Sequence, residues 1–197
     1  MAKRLSRAEA WSLLQEWVES ESLRRHCLAV EAAMRACARE RGVDEELWGV
    51  VGLLHDMDYE RHPDMAADDG HPRTVVRVLG ECGVDPVVTR AIASHADDSG
   101  VARESDLERA LYAVDELCGF LVACAYVRPR GIHGMTAKSV RKKLRQASFA
   151  AAVSREELLA GAERLGVDFD EHVAHVIAAL ESHAEVLGIA GDEVDGT

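Results

Sequence analysis

Nine histidines in 197 residues are the side chains best equipped for chemistry, and several lie where apolar neighbours turn them inward. His26 lies in Leu23-Arg-Arg-His-Cys-Leu-Ala-Val30, with Leu23, Cys27, Val30 and Met34 on its helix face. His55 and Asp56 close the apolar run 47–54. Neighbours inside a helix diverge, so these two reach one point only if the helix stops there. His71 shares a helical face with Val75, Val78 and Leu79, and His95 shares one with Val88 and Ile92. Asp115 stands in the middle of the apolar stretch 110–121. A carboxylate there is expensive unless it pairs with another helix or binds a metal. Each histidine taken alone reads as a hydrogen-bonded core residue, and chance alone supplies a His-Asp dipeptide. Together, these inward-facing imidazoles and carboxylates form a donor set for borderline divalent ions; calcium would want more oxygen ligands.

Other chemistries lack their signatures. The chain has no Gly-x-x-x-x-Gly-Lys phosphate loop, no Gly-x-Gly-x-x-Gly, no Gly-x-Ser-x-Gly and no His-Glu-x-x-His. His172 and His175 are three apart on a late helix, but no carboxylate and histidine set accompanies them. They read as packed or solvated, as do His133 and His183. Glu116 faces away from Asp115 and reads as a salt-bridge partner.

The elements that must position these residues are helices. Nearly every segment has helical period and none alternates with period two, so the fold class is all-α, a helical bundle with additional C-terminal helices. Ser6-Arg-Ala-Glu9 is a capping box opening a helix with Trp11, Leu14 and Trp17. A second helix is expected from about Ser22 to Arg41, stopped by Gly42. Asp44 caps a third over 45–55. A polar loop follows over 58–70. Helices fit 71–82 and 85–97, the latter with Asp85 as cap and Pro86 in the first turn. Ser105-Asp-Leu-Glu108 is another capping box, opening a helix to about Val127. Ser154 starts a further helix, and Asp168 or Asp170 opens the last, to about Leu187.

The order of these residues resembles a family. His26, then His55-Asp56, then Asp115 is similar to the H…HD…D order of the HD superfamily of metal-dependent phosphohydrolases. Leu54-His-Asp-Met-Asp-Tyr-Glu-Arg61, Ser94-His-Ala-Asp97 and Ala113-Val-Asp-Glu-Leu-Cys-Gly119 resemble segments of small bacterial and archaeal HD hydrolases. The resemblance covers about 22–127, and Ser139-Val-Arg-Lys-Lys-Leu144 resembles that subgroup's C-terminal helices. It implies that His26, His55, Asp56 and Asp115 hold one divalent ion. It further implies that His71 and His95 hold a second, with Asp56 bridging. The ions would be Mn, Fe, Mg, Ni or Zn. Asp56 would also orient the attacking water, and Glu60 or His62 would donate the leaving group's proton, set against a reading of 57–70 as a solvated loop with turn chemistry. The Gly-Tyr-Pro motif of the cyclic-dinucleotide-cleaving relatives is missing. The same ligand order also resembles HD-fold mixed-valence di-iron oxygenases, and a non-catalytic ligand-binding signalling module is the third reading.

Composition sets the partners. With 35 acidic and 23 basic side chains the formal charge is −12. Residues 128–145 hold seven bases and no acid, which leaves −19 on the rest. That average disfavours nucleic-acid duplexes and a polybasic membrane anchor, but not a local phosphate pocket. Arg141 and Lys142 are the preferred phosphate-binding candidates, set against a contact between this island and the acidic surface. The partner expected is a small phosphorylated substrate. At 48% hydrophobic residues the chain can bury a sizeable core. It is expected to be one helical domain over 1–197: an HD core at 22–127, a basic segment and helical extension at 128–190, and an acidic tail at 191–197. No apolar run approaches the length that spans a bilayer and no signal peptide is visible, so no membrane partner is expected. Five scattered cysteines without a Cys-x-x-Cys pair suggest buried thiols and a cytoplasmic location. Apolar residues left over on the terminal helices are the kind a homodimer would bury.

Overall fold

The structure is a computed structural model and describes residues 2–192, so the expected acidic tail lies mostly outside the described residues. Those residues form ten α-helices and no strand: α1 (Arg7–Trp17), α2 (Glu21–Arg41), α3 (Glu45–Leu54), α4 (Arg73–Glu81), α5 (Pro86–His95), α6 (Asp106–Tyr126), α7 (Ala137–Leu144), α8 (Arg155–Leu165), α9 (Phe169–Glu181) and α10 (Ala184–Leu187). A 3₁₀ turn covers Asp97–Ser99. The all-α expectation holds. No described helix is long and apolar enough to cross a membrane.

Local chemistry sets the helix ends. Ser6 accepts the Glu9 N–H while Glu9 accepts the Ser6 N–H, which makes the capping box at α1. Glu9 also meets Lys3 at 3.0 Å. Gly42 ends α2 in the left-handed conformation, which a residue without Cβ adopts at no steric cost. Asp44 caps α3 through the Leu47 N–H. Ser105 and Glu108 form the reciprocal pair at the start of α6. Burial pushes Glu108 upward, but the Ser105 and Glu104 N–H groups and Arg90 outweigh it and hold its carboxyl below the ordinary range.

Two boundaries differ from expectation. His71 and Pro72 precede α4, because the chain enters from the 57–70 turns. The last expected helix breaks into α9 and α10 at Ser182-His183. There the Ser182 hydroxyl and His183 Nδ1 both bond the Ala179 carbonyl, at 2.7 and 3.0 Å. Such side-chain bonds compete with the helical ladder.

The chain divides after Tyr112, inside α6, into two compact units, whereas the composition shifts at residue 128. In the first unit, α1, α2 and α5 pack on α3, and α4 packs on α5. Contact of α2 with α3 is close because α3 presents Gly49 and Gly52. A Cβ on Gly52 would meet the Val30 carbonyl oxygen at 2.9 Å and the Glu31 Cα at 3.1 Å. Buried Glu31 holds Arg7 and Arg35 at 2.8 and 2.9 Å, tying α1 to α2. In the second unit, α7, α8 and α10 pack on α9, whose Val173, Val176, Ile177 and Leu180 are buried.

Candidate metal centre

Four segments of the first unit bring their histidines to one place. His26 lies in the second turn of α2, and His55 ends α3 as its C-cap. Asp56 begins the turns that follow, so the end of α3 allows both side chains to converge, as the sequence required. His71 stands at the entrance to α4, and His95 is the last residue of α5.

The rings are oriented by what their Nδ1 atoms touch. His55 Nδ1 is 2.8 Å from the Gly52 carbonyl oxygen, and His95 Nδ1 is 2.5 Å from that of Ile92. A carbonyl can only accept, so both Nδ1 atoms carry the proton. His71 Nδ1–H donates to the Asp58 carboxylate at 2.7 Å. In the neutral rings, Nε2 is then a lone pair in all three. The His71 and His95 lone pairs face one another, with the Nε2 atoms 3.1 Å apart. His26 and His55 Nε2 lie 3.3 Å apart.

Asp56 is the hub. Its Oδ1 lies 3.4 Å from His55 Nε2, 3.4 Å from His71 Nε2 and 3.6 Å from His95 Nε2. Its Oδ2 turns to His26 Nε2 at 3.7 Å. The triangle of Asp56 Oδ1, His71 Nε2 and His95 Nε2 has its centre about 2.0 Å from each corner, the bond length of zinc-like ions to nitrogen and oxygen. Lone pairs held that close repel unless a cation lies among them. The donor set therefore fits a divalent metal. Asp56 and His26 keep 15% and 23% of their side chains exposed, so solvent reaches the cluster from that side.

Other expected site residues have these places. Asp115 lies half-buried on α6, three residues past the division between the units. Glu60 is exposed, and its Oε2 accepts the N–H groups of Glu19 and Ser20 at 3.0 and 2.9 Å. It therefore clamps the 57–70 turns to the start of α2. His62 lies half-buried, its ring 6.4 Å from that of Trp17. Arg141 and Lys142 part company on α7. Arg141 pairs with Asp170 at 2.5 Å and covers the Phe169 ring, which serves the contact of α7 with α9, whereas Lys142 is exposed. His172 is buried and donates through Nε2 to the Ala113 carbonyl at 3.1 Å, as a packed histidine does. Glu116 accepts the Ser154 N–H at 3.0 Å.

Asp58 was missed. It is fully buried, and besides His71 it accepts the Val75 N–H at 2.7 Å. Outer-shell carboxylates of this kind fix the tautomer and direction of a ligating imidazole. The signal was the second acid of His55-Asp-Met-Asp58, beside a methionine with no exposed surface.

The HD domain family model matches residues 23–119, a span that contains all six expected metal ligands. No curated protein matches the chain, and no solved structure matches it.

Proposed function

We propose that this chain, which carries an HD domain at residues 23–119, is a metal-dependent phosphohydrolase for a nucleotide or another small phosphate ester. The observation that carries the reading is the meeting of the His55, His71 and His95 Nε2 atoms around one oxygen of Asp56. His26, His55, Asp56 and Asp115 are assigned to one ion, and His71, His95 and Asp56 to a second.

When bound, divalent ions supply a water whose pKa falls from about 15.7 to roughly 7, and positive charge for phosphoryl oxygens. The residues do the rest. Asp56 touches both histidine pairs, so it fixes the spacing between the two ligand groups. Gly52, Ile92 and Asp58 hold the Nδ1 protons, which keeps each Nε2 ready as a ligand without rearrangement. The exposed flank at Asp56 and His26 is where a phosphate ester would approach. The attack is assigned to water, without a covalent intermediate on the chain.

The test is phosphate release from a panel of nucleotides and phosphomonoesters. Protein stripped of metal and reloaded with Mn²⁺, Mg²⁺, Fe²⁺, Ni²⁺ or Zn²⁺ should release phosphate from at least one of them. Asp56→Ala should remain folded and release none. Silence of the wild type across the whole panel with every ion contradicts the proposal, as does iron-bound protein that turns over only with oxygen.

A further inference from the structure

The second unit holds a cleft of about 420 Å³ beside the end of α6 and the exposed side of α7. Arg128, Lys142 and Lys143 line it together with Ser139 and Gln146, and Cys124 and Met135 give it an apolar wall. Among the described residues no acidic side chain lines it. Among the described residues none of the three cations is in an ion pair, while Arg141 next to them takes Asp170. Arg128 instead donates to the His133 carbonyl at 2.9 Å, and Lys143 lies 4.5 Å over the Phe149 ring.

In a chain with twelve more acids than bases, a cation without a carboxylate partner is uncommon, and three in one hollow repel one another. An anion removes that repulsion. Burial pushes the Cys124 thiol up to about 11 while Lys143 and Arg128 pull against it, so the field of both cations reaches the cleft wall. The volume lies within the range of roughly 300–1,000 Å³ usual for small-molecule sites. The apolar wall favours an organic body over a bare inorganic ion.

We propose that this cleft is a binding site for a small phosphate ester. The phosphate lies on Arg128, Lys142 and Lys143, and the organic part lies against Cys124 and Met135. The site needs no metal and uses none of the residues assigned to the metal centre.

Calorimetric titration of metal-stripped protein in chelator, with a nucleoside monophosphate as probe, tests this. Wild type should bind, and more weakly as salt rises. The double variant Lys142→Ala/Lys143→Ala should lose at least about tenfold in affinity, the worth of a charge-assisted contact. Ser139→Glu is a second variant. It keeps the capping box with Thr136 and so spares α7, but it puts a negative charge in the cleft; it should also lose binding. Asp56→Ala should bind like wild type although it cannot release phosphate, which separates this site from the hydrolase reading. Inorganic phosphate should bind more weakly than the nucleoside monophosphate; equal affinity would overturn the role of the apolar wall. Absence of binding without metal, or binding indifferent to both cleft variants, or binding lost in Asp56→Ala, would overturn the site itself.

Discussion

At Asp58 one buried carboxylate makes two bonds at once, to the His71 ring and to the Val75 N–H. Asp58→Asn cannot keep both, because its amide offers one acceptor where two donors wait. The loss of a buried bond should cost about 1–3 kcal/mol in chemical denaturation. Loosening an outer-shell partner should also weaken the affinity for one ion by about 10–100-fold. An Asn variant with unchanged metal affinity would remove Asp58 from the account of His71. Part of this was legible in the sequence. His26, His55, Asp56, His71 and His95 stood on apolar faces, and the end of the helix at His55-Asp56 was a geometric requirement that the structure meets. Asp58 was visible only as the second acid of His55-Asp-Met-Asp58; its role was not legible, since its partner lies thirteen residues on, across turns without periodicity. Glu60 was offered as a proton donor because nothing local announces that it folds back onto Glu19 and Ser20.

At the scale of elements, the closeness of α2 and α3 sets the distance from His26 to His55. Gly52 permits that closeness and also offers its carbonyl to His55. Gly52→Ala should destabilise the protein by about 1–3 kcal/mol, as overpacking does, and should weaken metal binding as well. A variant with full stability and full metal content would show that the helices have room to spare. Capping boxes were the most legible elements, because Ser6 with Glu9 and Ser105 with Glu108 need only neighbours three residues apart. The Ser6 N–H, Lys3 and the Ser6 hydroxyl hold the Glu9 carboxyl at about 2, against an ordinary 4.5. A carboxyl lowered by folding stabilises above its unfolded value and loses that contribution as pH falls through its folded one. Acid should therefore fray α1 between about 4.5 and 2, read by amide exchange of its first turn, and Glu9→Gln should make that turn insensitive to pH there. The break between α9 and α10 was hidden, because Ser182 and His183 continue an otherwise helical period and act only through bonds to Ala179.

For the whole molecule, charge and thiols are the readable quantities. The formal −12 conceals the cationic island, and the structure separates its members: Arg141 serves the α7–α9 contact, while Arg128, Lys142 and Lys143 face a cleft. All five cysteines are free thiols; Cys82 is exposed and the other four are buried. Burial pushes Cys37 and Cys124 up to about 11, so near neutral pH they hold almost no thiolate. A native thiol titration should show one fast-reacting group, lost in Cys82→Ser, with the remainder appearing on unfolding. Rapid reaction of more than one would mean that the packing around the buried thiols opens readily.

If Asp56 joins two groups of histidines into one metal centre, its removal should empty both. Elemental analysis of protein purified without chelator tests it most directly, with wild type and Asp56→Ala side by side. Close to two divalent ions per wild-type chain and almost none in Asp56→Ala are expected. Wild type without bound metal, or an Asp56→Ala variant that keeps the full complement, would contradict it.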